Sequence, residues 1–417
     1  VKVLRVAICV LLMVLTGALV VYAKTTVRYE TVSVWVPLQE EAIKEFNETH
    51  PEIKVEMEGF PWTGAFERLL THFTAGTAPD VVALHSDWVH RFASLNFLLG
   101  LNPYLPEIGI EDFWPDMVKH FTYKDELYAI PSYGDVWGLA YNVDLYKEAG
   151  LDPEKPPQSW EEELEHFKLL TKPEENQYGF GLFAKGGVHE LASLINTYIY
   201  QNGGKVLSDD YTKCLLGEPE AIEAIQFVAD LYLKHKVCLP GALEYEMKDI
   251  DKIFANGGVA VFPTAASHIP FIYGVNPNIN FYSAPMPGRK TWKGARMYGW
   301  SLAISSKSKH PQEAWEFVKF MNSPEMSKKL WIEKIGTAGP RMSVAKEHPR
   351  LSQQPYKGFI EAMLKGYGVL NPPIEEWQQI VMKEVDAFQK VLLEQQTVEE
   401  AVQDLVSEIN EILAERK

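Results

Sequence analysis

The sequence predicts an α/β protein built as two lobes. Helix-like and strand-like segments alternate along the chain, with no internal repeat and no low-complexity tract, the pattern of helices packed on sheets. At 417 residues the chain is too long for one simple core and suits two. Proline and glycine punctuate it without making a long linker.

Each element follows from its residues. Lys2 and Arg5 precede an apolar run from Val6 to Val21, and Val21-Tyr22-Ala23 offers a cleavage site. This is the layout of a secretory signal peptide, residues 1–23. The run is about 16 residues long, short of the ~20 that a spanning helix needs. Cys9 lies inside the run, too early for a lipid-modified cysteine, so a freely diffusing, exported, periplasmic protein is expected.

Val32 to Val36 reads as a short strand and Pro37 as a helix start, with Ala42, Ile43 and Phe46 on one face. Ile53 to Met57 alternates as a half-exposed strand, completing a βαβ unit. A helix over Ala65 to Thr74 and a buried strand over Val81 to Leu84 follow. Ser159 and Glu162 fit a helix N-terminus, and Pro311 to Asn322 places Ala314, Phe317, Val318 and Met321 on one stripe. Trp377, Val381, Val385, Phe388 and Leu392 give another helix, and Thr397 with Glu400 caps a last one.

Forty basic residues against 56 acidic ones give a net charge of −16. Such a chain repels nucleic acid and anionic membranes. Cys214 and Cys238 flank a predicted helix over Pro219 to His235, about 25 Å long. A disulfide needs Cα atoms within ~7 Å, so two buried free thiols are expected.

Enzyme-like strings fail on their context. Gly299 to Ala303 resembles a nucleophile elbow around Ser301, but Leu302 to Ile304 continues as strand where the elbow needs a helix. His189-Glu190 opens a zinc-protease-like string whose second ligand position is Ser193. Gly179 to Ala184 matches a dinucleotide fingerprint only loosely. The eleven histidines show no metal-ligand spacing, so no metal and no cofactor is expected. What stands out is an aromatic load at loop-like positions, including Trp62, Trp88, Trp137, Trp292 and Trp300. Such rings offer a broad apolar face to the C–H faces of sugars.

These residues resemble the extracellular solute-binding proteins of family 1, the maltose-binding-like group. The similarity is carried by Thr74 to Val82, Leu127 to Pro131, Gly138 to Asn142, Phe254 to Ala260, Ala284 to Pro287, Gly299 to Ser305 and Glu313 to Met321. It implies a two-lobed periplasmic-binding-protein fold of type II, each lobe a sheet flanked by helices, hinged by about three chain crossings. The implied division is 24–140 plus 303–342 for lobe 1 and 141–302 plus 343–417 for lobe 2. It implies a monomer that is not an enzyme, with a small sugar and an ABC transporter permease as partners. The implied ligand-binding residues are Trp35, Asp87, Trp88, Tyr133, Asp135 and Trp137, followed by Tyr298, Gly299, Trp300, Arg341 and Trp377. Where the family carries a stacking Trp, this chain has Thr264 to His268, so either His268 or Phe271 takes its place or the subsite differs.

A sugar or oligosaccharide is therefore the expected ligand. The alternative within binding proteins is a solute such as glycerol phosphate, which would want clustered Arg or Lys; Arg341 is the one cation the resemblance places in the cleft. A third reading is a secreted carbohydrate-active enzyme.

Overall fold

The computed structural model describes residues 24–186 and 189–415. The expected signal peptide lies outside the described residues. No helix among them is long and apolar enough to cross a membrane.

Among the described residues, twelve strands make two principal sheets and a ribbon. The strands are β1 (Thr25–Val32), β2 (Ile53–Phe60), β3 (Val81–His85), β4 (Thr122–Tyr123), β5 (Glu126–Leu127) and β6 (Ile130–Val136). The rest are β7 (Gly138–Asn142), β8 (Tyr178–Phe180), β9 (Val259–Thr264), β10 (Phe281–Pro285), β11 (Ala295–Ile304) and β12 (Gly368–Val369). The first sheet runs β12-β11-β3-β1-β2, with β6 on the other side of β11. The second runs β10-β7-β9-β8, and β4 with β5 forms the ribbon.

The first sheet begins as the βαβ unit that the alternation predicts. β1 pairs in parallel with β2 from Thr25 opposite Ile53 to Val32 opposite Phe60, and also in parallel with β3. The helix between β1 and β2, Val36–Thr49, buries Ala42, Ile43 and Phe46. The expected strand over Val32 to Val36 does not form. Pro37 in the first helical turn fixes its own φ for a helix, so Ser33–Trp35 is a 3-10 turn and the strand lies earlier. That shift carries Trp35 out of the sheet and into the space beyond its edge.

The parallel strands all end on one side, where Trp35, Trp62 and His85 follow or close them. Ligands of open α/β sheets bind at the carboxyl ends of such strands. β11 runs antiparallel to β3, with Trp300 opposite His85, and antiparallel to β6, with Trp300 opposite Tyr133.

Trp137 alone separates β6 of the first sheet from β7 of the second, and its N–H donates to the Arg296 carbonyl at 2.9 Å. Residues 138–140, expected in lobe 1, therefore pair within the second sheet. Residues 297–302, expected in lobe 2, pair with β6 and β3 in the first. β11 is a single strand ten residues long that keeps its ladder with β6 from Met297 onward. The C-terminal helices Trp377–Leu392 and Val398–Ala414 pack on one another, and the first of them also packs on Glu190–Gln201. Thr397 and Glu400 form the predicted capping box. Cys214 and Cys238 are buried free thiols.

Candidate ligand-binding site

Between the carboxyl edge of the first sheet and the helices Met247–Ala255 and Ile269–Val275 lies a cavity of about 520 Å³. One wall is aromatic and comes from the first sheet's edge. The 3-10 turn after β1 supplies Trp35, whose ring meets Tyr133 of β6 edge-on at 5.7 Å. The loop after β2 supplies Trp62, which stacks on Trp88 at 5.3 Å and 17° and meets Trp300 of β11 at 5.8 Å. The facing wall comes from the helix start at His189 and Glu190, the helix Met247–Ala255 and the turn at Ser267 and His268. Trp35 bridges the walls, contacting Phe271 of the facing side at 6.2 Å. A surface groove of about 300 Å³ between the last two helices contains no aromatic ring and is lined by residues such as Lys383, Asp386 and Glu408. It lacks the apolar wall with few placed polar groups that small-molecule sites share.

A buried charge network braces the aromatic edge. Arg296 Nη2 reaches Asp87 Oδ2 at 2.7 Å, both side chains almost fully buried. Asn371 Nδ2 donates to the same oxygen at 2.9 Å. Burial by itself would raise the Asp87 carboxyl, but the Arg296 guanidinium holds it well below the usual carboxylate range. His85, beside them, is pushed down to about 3, chiefly by burial and only partly countered by Asp87, so it is a neutral imidazole at neutral pH. His85, Asp87 and His189 lie with one donor atom each within 4.8 Å of one another, a juxtaposition that sequence spacing did not reveal. The Asp87 oxygen is already committed to Arg296 and Asn371, so the carboxylate reads as an anchor.

The facing wall sets a few polar groups among Met247, Pro270, Phe271 and Val275. His268 Nδ1 lies 2.7 Å from Asp251 Oδ2. Burial lowers the His268 pKa, but the Asp251 carboxylate more than offsets this and leaves it raised. The Ser267 N–H donates to Asp135 Oδ2 at 2.9 Å, joining the turn after β9 to β6 of the first sheet. Ser267 Oγ also lies 3.1 Å from the Tyr298 hydroxyl. Burial pushes Asp135 up to about 6 in spite of the Ser267 hydrogen bonds.

Of the residues the sequence nominates, Trp35, Tyr133, Trp137, His268, Phe271, Tyr298 and Trp300 line this cavity together. The others do not. Asp87 lies behind the wall, bound to Arg296, and Trp88 backs Trp62. Asp135 is consumed by Ser267. At Gly299 a Cβ would collide with Met117 Cε and the Tyr133 carbonyl, so this glycine serves close packing of β11 on β6. Arg341 is buried and donates to the carbonyls of Asn322 and Ile108, with its ring neighbour Phe113, because it ties loops of the first side together. Trp377 is only 1% exposed and sits in the core under its helix. Sequence reasoning missed His85, His189, Glu190, Asp251 and Arg296. The strand ends marked His85; nothing local marks Asp251 or Glu190, which reach the cavity from helices.

Residues 36–328 match the family model described as bacterial extracellular solute-binding protein. A putative binding protein of Brucella abortus (strain 2308) is 26% identical over 385 residues, covering 90% of each chain. The multiple sugar-binding protein of Streptococcus mutans is 24% identical over 303 residues, 69% of each chain. Among solved structures, an ABC transporter solute-binding protein from Thermotoga lettingae bound with alpha-D-tagatose superposes with a TM-score of 0.87 at 29% identity, over 94% of this chain and all of the other. The two sheets, the cavity between them and a family match over most of its length together make this chain a member of the bacterial extracellular solute-binding protein family.

Proposed function

We propose that this protein captures a sugar or short oligosaccharide in the cavity between its sheets and hands it, chemically unchanged, to an ABC transporter permease. The observation that carries this reading is the cavity wall itself: indole and phenol rings on one side, hydrogen-bonding groups on the other. Rings suit the C–H faces of a pyranose, and the opposite groups suit its hydroxyls. The sugars named for the Streptococcus and Thermotoga relatives support the same class. A phosphate ester is disfavoured because Arg296, the buried cation at the cavity, is already paired with Asp87.

The protein acts by binding rather than by catalysis. Ser301, the centre of the elbow-like string, is fully buried in β11 and donates to the Leu84 carbonyl at 3.0 Å. It has neither exposure nor a base at hand. Export to the periplasm and a monomeric form belong to the same proposal. So does a two-lobed division with crossings at Trp137, between Pro285 and Ala295, and after Arg341. A ligand touching both walls makes more contacts when the lobes close, and that differential affinity is what shifts the population.

A thermal-shift screen against mono-, di- and trisaccharides tests the function. Ligand at a hundredfold excess over Kd stabilises the native state by about 2.7 kcal/mol, so a true ligand raises the melting temperature dose-dependently. A screen in which sugars give no shift while another solute class does overturns the reading. Small-angle scattering with the hit should show a smaller radius of gyration; unchanged curves at confirmed saturation refute closure.

A further inference from the structure

Three metal-binding side chains converge at the aromatic wall. His85, Asp87 and His189 each offer one donor atom, and the three atoms lie within 4.8 Å of one another. Among the described residues this is the only trio of His, Cys, Asp or Glu side chains so placed. His85 closes β3, and Asp87 follows in the 3-10 turn Ser86–Trp88. His189 precedes the helix Glu190–Gln201 on the facing wall. His85 Nδ1 and Asp87 Oδ2 are 3.7 Å apart. Donors around one tetrahedral zinc lie about 3.3–3.5 Å apart. That pair is therefore near the required spacing already, and the third donor has to draw in by at most about 1.5 Å.

The donors have capacity to spare. An ionised carboxylate accepts at about four positions. Arg296 and Asn371 take two of them at Asp87 Oδ2, and the Ser86 hydroxyl reaches Oδ1 at 3.3 Å. Donors that fix a ligating carboxylate from behind are the usual outer support of a metal site. The Asp87 N–H lies 3.4 Å from His85 Nδ1, beyond the usual hydrogen-bond range, so this nitrogen gives up little by turning to a metal. The trio is also open to entry. His85 and His189 border the main cavity, and Asp87 and His189 border a second one of about 140 Å³ that Trp62 also lines.

The donor types choose the metal. Two imidazoles and one carboxylate suit zinc and its transition-metal neighbours, whereas calcium and magnesium want more oxygens. Arg296 offsets the charge of Asp87, so the imidazole nitrogens carry the affinity. Three protein donors leave a fourth position for water.

We propose that His85, Asp87 and His189 form a binding site for a divalent transition metal of the zinc type, reaching across from one wall of the cavity to the other. An ion held from both sides ties the walls together. The site is independent of which solute the main cavity takes.

Calorimetry on the metal-free full chain tests it, with the chlorides of zinc, calcium and magnesium as probes. One zinc ion per chain should bind, at least tenfold more tightly than calcium or magnesium. His189→Ala, at a half-buried position just before a helix, should weaken zinc binding at least tenfold. A wild-type chain that takes up no zinc, or that prefers zinc by less than tenfold, overturns the site. So does a loss short of tenfold in the variant, which would mark the zinc as adventitious and bound elsewhere. If the variant does not fold, anomalous diffraction at the zinc edge from wild-type crystals decides. The ion should then lie about 2.0–2.2 Å from a nitrogen of each histidine and an Asp87 oxygen; an ion held by other residues overturns the proposal.

Discussion

Replacing Arg296 with Met tests the brace behind the aromatic wall. The substitution keeps the stem and removes the guanidinium. The backbone bonds at this position survive it, since the Arg296 N–H donates to Thr197 Oγ1 and its carbonyl accepts from Trp137. What is lost is the 2.7 Å contact with Asp87 Oδ2 and the 2.8 Å bond that Nη1 donates to the Met297 carbonyl. Breaking a buried pair by removing one partner costs about 3–5 kcal/mol, because a charge is left behind without its partner. Asn371 Nδ2 still donates to that oxygen at 2.9 Å, which places the expected cost near the lower end, about 3 kcal/mol. Urea unfolding at neutral pH, followed by tryptophan fluorescence, should show a lower midpoint.

The pH dependence makes the test specific. In the wild type the Asp87 pKa is held down, so its contribution is intact above the unfolded carboxylate value of about 3.9 and is lost only below it. In the variant, burial acts unopposed by Arg296 and raises the Asp87 pKa. The folded variant then binds a proton that the unfolded chain does not, and gains stability as pH falls toward about 4. The deficit should therefore be greatest near pH 7 and shrink toward pH 4.5. The double variant Arg296→Met with Asp87→Asn should recover at least half of it. A midpoint equal to wild type, or a deficit that does not shrink on acidification, refutes the brace.

Other outcomes follow from the same structure. Trp62→Ala should weaken ligand binding about thirtyfold or more by calorimetry, the scale of a central aromatic anchor; affinity within threefold of wild type would remove Trp62 from the site. Trp377→Ala should cost about 3–5 kcal/mol of stability as a core truncation, and unaltered stability with abolished binding would instead make it a ligand platform. Glu384 is fully buried, accepts from Asn196 at 3.0 Å, and is pushed by burial up to about 8. Its folded pKa is raised, so wild-type stability should fall relative to Glu384→Gln as pH rises from about 4.5 to 8. Parallel stability profiles would show that Glu384 does not titrate in this way.

Much of this architecture is legible in the amino-acid sequence, and the exceptions share a cause. Local periodicity marks the helix Pro311–Met321 and the capped helix Val398–Ala414, because each carries its apolar stripe and end signals within its own turns. Aromatic residues next to strand ends mark Trp35 and Trp62, because such rings at the edge of a sheet face the space beyond it. The role of Asp87 was not legible. Its partner Arg296 is 209 positions away, and a carboxylate paired across that distance looks, in sequence, like one waiting for a ligand. Trp377 misleads in the opposite sense: it opens an amphipathic helix, where a core ring and a ligand platform have the same pattern. Asp251 and Glu190 carry no local signal, since helix residues reach the cavity only after the second sheet brings their helices to face the first.

The most direct test of the account is the crystal structure of the protein with the tightest sugar from the thermal screen. One sugar should lie in the cavity, a ring face against Trp62 or Trp300 and its polar edge within hydrogen-bond distance of Glu190, Asp251 or His268. A sugar bound instead in the groove between Trp377–Leu392 and Val398–Ala414, with this cavity filled only by water, would contradict it.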